Sequence, residues 1–480
     1  MSYLNYTQLP FLIPPDSLEQ EQANAFITLR DALGHKVPEC RLIGAAGTGK
    51  TYLIGQFLHA LIDGEILLTS EIVVSAYSHK ACGVIRTVLR ENRLNIEVKT
   101  LASLLGLKPK RDKKTGRESF EPDESKQLNL DIYKIIIVDE CSAVGENLDK
   151  WLQAAIQQSL WKPQLIWMGD GYQLPPVGET ISPSLKREMP LAKLVTPVRY
   201  GGSVGKLCNE IRKAIDEGRT ISEIESNWED TSTGIFTGSK SWWKDNIVQA
   251  FSSPLAADPN FFRTICYTNS AVDSINKMVR DRLIGEDAQE IVLGERLIAN
   301  EACNEGDDLL LPSSMEFSVE NIFRHEIDIT INDLPLRKID QFAERIGERT
   351  NLKALKGMKI EDAIEQMKKC KVWSVFTTRS DDGTKIRLRK VAAESVETYN
   401  RLKKMFADNK VWGSFYDMRD FSHNIKPCYA LTAHKSQGST FQNVAVNLPD
   451  MRRNKNKKEQ TKLLYVAVSR AKKRVLIPEV

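Results

Sequence analysis

Residues 44–51 read Gly-Ala-Ala-Gly-Thr-Gly-Lys-Thr, the spacing of a loop that can wrap the phosphates of a nucleotide. Glycines in such a loop let backbone N–H groups turn onto phosphate oxygens, and a helix beginning at its end adds the positive end of its dipole. Gly44, Ala45, Ala46, Gly47, Thr48 and Gly49 form this cradle. Lys50 reaches the β- and γ-phosphates as a point charge, and the Thr51 hydroxyl takes one coordination position on Mg²⁺.

A second group downstream could complete a hydrolytic site. Ile135 to Val138 run straight into Asp139-Glu140, so a strand would end on two carboxylates. In that position Asp139 holds the metal and Glu140 acts as general base toward a water. Gln173, in Gly169-Asp170-Gly171-Tyr172-Gln173-Leu174-Pro175-Pro176-Val177, follows the next apolar run and could bond both the γ-phosphate and that water. By itself the same stretch is also a proline-stiffened turn.

These residues need a parallel sheet to hold them. Arg41-Leu42-Ile43 predicts a short buried strand before the loop, and Leu53, Ile54, Phe57, Leu58 and Leu61 predict a helix stopping at Asp63-Gly64. Further apolar runs are Ile72-Val73-Val74, Ile135–Val138 and Leu165–Met168, with an amphipathic helix marked by Leu148, Trp151, Leu152, Ala155 and Ile156 between the last two. A second series comprises Thr264–Tyr267, Val444–Val446 and Val475–Ile477. Continuous apolar strands alternating with helices imply parallel sheets covered on both faces, here two of them. Two stretches break the pattern. From Ile291 to Pro427 short strands predominate, with a charged helical stretch at Leu336–Lys371 and a hairpin turn at Asp382-Gly383 ahead of Ile386 and Leu388. Lys108 to Glu124 carries six basic residues around Thr115-Gly116, followed by Phe120; it is either a solvated charged loop or a β-hairpin touching nucleic acid.

Composition narrows the class. The chain has 480 residues, is 27% charged and carries a formal charge of +4, so any surface for a polyanion must be local. Eight scattered cysteines lack any C-x-x-C spacing, which argues for a reducing compartment and against zinc knuckles. Met1 to Ser17 does not have the pattern of a secretory leader, and no apolar run approaches membrane length. A cytoplasmic chain is expected, in the host cytoplasm if it is phage-encoded.

Taken in order, these motifs resemble the superfamily 1 helicases, within them the branch of RecD-like and phage Dda-like enzymes. The resemblance runs through Gln22, the phosphate loop, Ser75–Ala81, Thr100–Leu105, Asp139–Ser142, Gly169-Asp170 with Gln173, and Thr196–Arg199. It continues through Thr268-Asn269 with Asn276, Thr432–Thr440 and Tyr465–Ala471. It implies an α/β fold of two RecA-like phosphate-loop domains, with an inserted β-hairpin pin and an inserted SH3-like β-barrel. The first RecA-like domain would be 1–193 with the pin at 106–130, the second 194–290 plus 428–480, and the barrel with its tower 291–427, including Trp412–Phe415.

The resemblance also implies roles. Gln22 would read the adenine edge of ATP. Arg199 and Arg470 would reach the γ-phosphate from the second domain, so that hydrolysis requires a closed cleft. His79, Thr100, Thr432, His434, Lys435 and Ser436 would face the nucleic acid through hydroxyls and backbone groups, and Phe120 would be the aromatic of the pin. The expected activity is an ATP-dependent, Mg²⁺-requiring DNA helicase that moves toward the 3′ end of the bound strand. Its partners would be single-stranded DNA, a DNA fork and single-strand-binding or replication proteins, with the chain a monomer away from membranes. Two other functions fit the motifs: an RNA-directed helicase of the same superfamily, and a nucleotide-gated remodeller of DNA-bound proteins. The basic run Arg452–Lys458 has no counterpart in the resemblance and is either a mobile solvated loop or a phosphate-contacting arm.

Overall fold

A computed structural model describes residues 9–111, 118–122, 130–197, 201–305, 308–327, 370–380, 382–408 and 410–479. The described chain divides into two compact units, one of Met1–Lys108, Pro122–Leu283 and Tyr429–Val480, the other of Pro109–Glu121 and Ile284–Cys428.

The first unit contains two six-stranded sheets. In the first, the order is Glu97–Thr100, Ile72–Ala76, Ile135–Asp139, Gln164–Gly169, Glu39–Gly44 and Leu191–Leu194, all parallel. The unbroken apolar strands have a direct cause. Ile135 and Ile137 belong to one core, with Phe26, Leu53 and Phe57, while Ile136 and Val138 belong to another, with Leu152 and Trp167. Successive side chains point to opposite faces, and both faces are covered. Each fully buried aliphatic side chain contributes about 1.5–3 kcal/mol. The expected helices are present at Lys50–Asp63 and Glu146–Gln158.

In the second sheet the order is Ala430–Thr432, Phe262–Cys266, Phe441–Val446, Ala471–Pro478, Gly234–Gly238 and Asn227–Trp228, parallel except for the last pair. Tyr267 lies just beyond its strand because its N–H is taken by Asp450 Oδ2 at 2.7 Å. The same carboxylate accepts the Thr268 N–H at 2.8 Å and the Thr268 hydroxyl at 2.8 Å, fixing the entry to helix Asn269–Ile284.

The second unit is β-rich, as expected for 291–427. Among the described residues its antiparallel sheets are Glu316–Ser318 with Arg296–Ala299 and Ile425–Pro427, then Cys303–Glu305 with Asp308–Leu311, then Asn321–Ile327 with Cys370–Thr378 and Lys385–Val391. One core joins them, including Leu297, Leu311, Phe317, Val375, Leu388 and Ile425. The Asp382-Gly383 hairpin forms, with Gly383 at φ +73° and its N–H on Arg379 O at 3.0 Å. Cys370 and Lys371 are strand, not the end of a helix, because they pair with Ile327 and Glu326. Most of the Leu336–Lys371 stretch lies outside the described residues. Leu107–Arg111 and Glu118–Pro122 pair as a two-stranded sheet at the expected hairpin; its turn lies outside the described residues.

His423 is buried within this unit. It is 4% exposed, its Nδ1 accepts the Arg389 N–H at 2.9 Å, and its Nε2 lies 3.1 Å from Asn304 O. Burial pushes its pKa below the usual histidine value; the nearby Arg389 charge acts the same way, while the Asn304 carbonyl, Glu305 and Asp420 oppose the shift. A pKa lowered on folding supports stability above the unfolded value and withdraws it as pH falls through about 6.5 and below. Thermal melts should therefore show the protein losing stability between pH 7.5 and 5, with less of that loss in His423→Gln.

Candidate nucleotide site

The phosphate loop leaves the central strand Glu39–Gly44, pinned between Gln164–Gly169 and Leu191–Leu194. A Cβ on Gly44 would lie 2.4 Å from Thr48 Oγ1 and 2.9 Å from Leu194 Cβ, so the backbone can pass there only as glycine. Gly47 and Gly49 have φ of +80° and +84°, and Gly49 caps the helix that begins with Lys50. Thr48 is buried, its hydroxyl on Ala45 O at 3.0 Å. The Lys50 ammonium donates to Gly44 O at 2.7 Å and Ala45 O at 3.1 Å, holding its charge over the loop.

The acid pair stands at the end of the strand Ile135–Asp139. Glu140 sits in the left-handed region at φ +53°, a conformation costing about 1–3 kcal/mol for a non-glycine residue. Its N–H donates to Asp139 Oδ1 at 2.7 Å. Asp139 opens onto the cavity and is enclosed behind. Burial, then the Glu140 charge, push its pKa up to about 7, against the pull of Lys50. A half-buried carboxylate lining the same cavity as the Thr51 hydroxyl fits a hard dication with oxygen ligands such as Mg²⁺.

The cavity measures about 600 Å³, the size of a small-molecule site. Gln22, Ala46, Gly47, Gly49, Lys50, Thr51, Asp139, Glu140, Gln173 and Arg470 all line it, as do Ser17, Glu19, Tyr52, Asn92 and Gly438. Arg470 is 2% exposed and donates to Val466 O at 3.1 Å, Ser439 O at 3.2 Å and Ser469 Oγ at 3.1 Å. Among the described residues no carboxylate pairs with it. Arg199 lies outside the described residues. Gln22 has a structural task that its motif did not reveal: its Oε1 accepts the Glu19 N–H at 3.3 Å, closing a capping box on helix Gln20–Gly34.

Residues after the strand Gln164–Gly169 meet side chains carried with the second sheet. Gln437 Nε2 lies 3.4 Å from Gln173 Oε1, and the Tyr172 hydroxyl donates to Asp216 at 3.0 Å. Asp170, fully buried, accepts the Ala46 N–H at 2.9 Å and the Tyr465 hydroxyl at 2.8 Å. Ala46 borders the cavity, as expected of the phosphate loop, and its N–H bonds protein groups in this structure. The importance of Asp170 and Tyr465 was not read from the sequence, although both lie inside motifs it displays.

The expected nucleic-acid residues separate into two groups. His79, which opens helix His79–Glu91, and His434 are exposed, and Lys435 is half-exposed. Thr100, Thr432 and Ser436 are buried. The Thr100 hydroxyl accepts the Ser103 N–H at 3.1 Å, that of Thr432 accepts the Lys435 N–H at 3.3 Å, and that of Ser436 donates to Ala433 O at 2.8 Å. These hydroxyls bond the backbone of short helices, a frequent role for small polar side chains there. Phe120 is on the strand Glu118–Pro122, and its side chain lies outside the described residues. The run Arg452–Lys458 is structured: Asn456 Oδ1 accepts the N–H groups of Lys458 at 3.1 Å and Glu459 at 3.3 Å, capping helix Lys457–Val468.

Comparison with known proteins agrees with the order of these elements. Residues 29–179 match the model of an AAA domain family, and 427–477 match that of the UvrD-like helicase C-terminal domain. An uncharacterised protein of Acanthamoeba polyphaga mimivirus is 24% identical over 500 residues, covering 95% of this chain and 98% of its own. The ATP-dependent DNA helicase dda of Enterobacteria phage T4 is 24% identical over 481 residues, again covering 95% and 98%. Among solved structures, the Pif1 helicase from Bacteroides with ADP-AlF3 and single-stranded DNA aligns over 96% of this chain and 92% of its own, at 15% identity and a TM-score of 0.47.

If Lys50 and Arg470 serve the triphosphate differently, their variants should separate. Lys50→Ala should abolish ATP turnover yet leave binding of a single-stranded oligonucleotide within about two-fold, since the ammonium is engaged over the phosphate loop. Arg470→Ala should lower turnover about 10³-fold or more, while ADP affinity measured by titration changes little.

Proposed function

We propose that this chain is a superfamily 1 helicase of the Dda-like kind, an ATP-dependent DNA helicase that advances along one strand and separates a duplex. One observation carries the reading. Arg470, buried and borne at the end of a helix packed with the second sheet, lines the same cavity as Lys50, Asp139 and Glu140 of the first. A triphosphate there would be gripped from both halves, two RecA-like domains in this reading.

The residues divide the work. The loop N–H groups and Lys50 hold the β- and γ-phosphates. Mg²⁺, held by Thr51 and Asp139, would neutralise charge between the phosphates. Glu140 takes a proton from the attacking water, which Gln173 orients, and Arg470 stabilises charge developing on the transferred phosphoryl group. Loss of the γ-phosphate removes the anion that Arg470 faces, so the two halves are free to part. ATP binding thus favours a closed cleft and hydrolysis an open one. Separating a base pair costs about 1.4 kcal/mol per stacked step, which modest coupling to hydrolysis covers.

Finer features belong to the same proposal: travel toward the 3′ end, a pin at the hairpin Leu107–Pro122 bearing Phe120, an SH3-like arrangement in 291–427, adenine reading by Gln22, and a second arginine at Arg199. Strand displacement on 5′-tailed, 3′-tailed and RNA-tailed duplexes tests the whole. ATP-dependent unwinding of the 5′-tailed DNA substrate is expected, with affinity for oligonucleotides falling as salt rises. Unwinding confined to RNA tails, or displacement of bound protein without strand separation, would replace the reading with one of its rivals.

A further inference from the structure

Tyr465 is fully buried, and its hydroxyl closes a ring of three hydrogen bonds. It donates to Asp170 Oδ2 at 2.8 Å, the Ala46 N–H points to the same oxygen at 2.9 Å, and that N–H lies 3.2 Å from the hydroxyl itself. A buried tyrosine hydroxyl ordinarily finds some partner. What distinguishes this one is whose groups it bonds. Ala46 belongs to the phosphate loop and Asp170 ends a strand of the first sheet, whereas Tyr465 is carried by helix Lys457–Val468, between two strands of the second.

The same turn of chain carries Arg470. Ser469 N–H bonds Tyr465 O at 2.9 Å, Arg470 N–H bonds Ala467 O at 3.3 Å, and Arg470 Nε bonds Val466 O at 3.1 Å. The tyrosine and the arginine are therefore parts of one hydrogen-bonded piece. Fixing one against the phosphate loop fixes where the other enters the cavity. Neighbouring contacts support the docking: the Tyr172 ring meets Tyr465 edge-on at 6.0 Å, and Lys462 Nζ lies 3.4 Å from Gly171 O.

We propose that Tyr465 is a positioning residue for phosphoryl transfer: its hydroxyl docks the Arg470-bearing turn onto Asp170 and the Ala46 N–H, so that the guanidinium reaches the γ-phosphate in register. This rests on the reading that the cavity hydrolyses ATP. Tyr465 touches none of the reacting atoms, and its removal should be felt where Arg470 acts and nowhere else.

The test is a double-mutant cycle on the full chain, using ADP alone and ADP with aluminium fluoride as probes, each with Mg²⁺ and oligothymidylate present. Tyr465→Phe should leave ADP affinity within about two-fold and weaken the aluminium fluoride complex about ten-fold, the scale of a small misplacement of a transition-state group. In an Arg470→Ala background the same substitution should add less than about two-fold, because its partner in the effect is already gone. A ten-fold loss that persists in that background overturns the proposal, as does an equal loss for both probes or no loss at all. If Tyr465→Phe does not fold, Asp170→Asn weakens the same bond from the other side and carries the cycle with the same outcomes. Wild-type protein that fails to hydrolyse ATP would sink the functional reading itself. Active wild type with an unaffected Tyr465→Phe sinks this inference alone.

Discussion

A buried guanidinium that bonds, among the described residues, only neutral acceptors is the constraint on which this molecule turns. Removing a charge from water costs several kcal/mol unless an opposite charge or a full set of hydrogen bonds offsets it. Among the described residues Arg470 bonds Val466 O, Ser439 O and Ser469 Oγ, all of them neutral. Asp139, across the cavity, has the complementary difficulty, a carboxylate raised to about pH 7 by burial and by Glu140. Neither arrangement serves stability. Both line one cavity of about 600 Å³, on the side where the phosphate loop ends.

Topology delivers these groups to one place. In the first sheet every strand runs the same way, so Gly44, Asp139 and Gly169 all lie at the carboxyl edge, where open α/β sheets collect ligands. One strand, Gln164–Gly169, separates the phosphate-loop strand from the Asp139 strand. That intermediate position explains why the segment just after it, Asp170 to Gln173, becomes the seam: it leaves the sheet between the phosphates and the acids. Asp170 serves there as a buried acceptor for Ala46, Tyr465 and Tyr172 N–H groups or hydroxyls at 2.8–3.0 Å.

What could be read from the sequence follows the range of the interactions concerned. The phosphate loop, the strand before it and the helix after it depend on glycine conformation and local periodicity, and they appear where the residues predict. Arg470 stands out in the sequence by its place in Tyr-Val-Ala-Val-Ser-Arg, and it lines the cavity; its bonding was not legible, since Ser439 lies 31 residues away in the chain. The backbone bonds of the Thr100, Thr432 and Ser436 hydroxyls were not legible for a physical reason: a small polar side chain at a motif suits a phosphate and a helix end equally well. The capping bond of Gln22 was equally hidden, because a glutamine three residues into a helix can cap as readily as it can read a base. Lys371 reads as helical by charge, but cross-strand pairing with Glu326 makes it β.

The insertion shows how a motor sheet can hold a foreign unit without being broken. Chain leaves after helix Asn269–Ile284 and returns at Tyr429 to form the strand Ala430–Thr432, which pairs directly with Phe262–Cys266, Thr264 opposite Ala430. The bracketing strands are thus hydrogen-bonded neighbours, and Asn276 reinforces the join by accepting the Ala430 N–H at 2.8 Å. The intervening residues have their own core, in which Ile291 near the exit and Ile425 near the return are both buried. Closing a long loop costs only a slowly rising entropy, so once the strands are paired the length between them matters little. Asn276 is therefore a structural residue inside a helicase motif: it secures the edge strand that leads into Thr432–Thr440, and through Gln437 and Gly438 that segment reaches the nucleotide cavity.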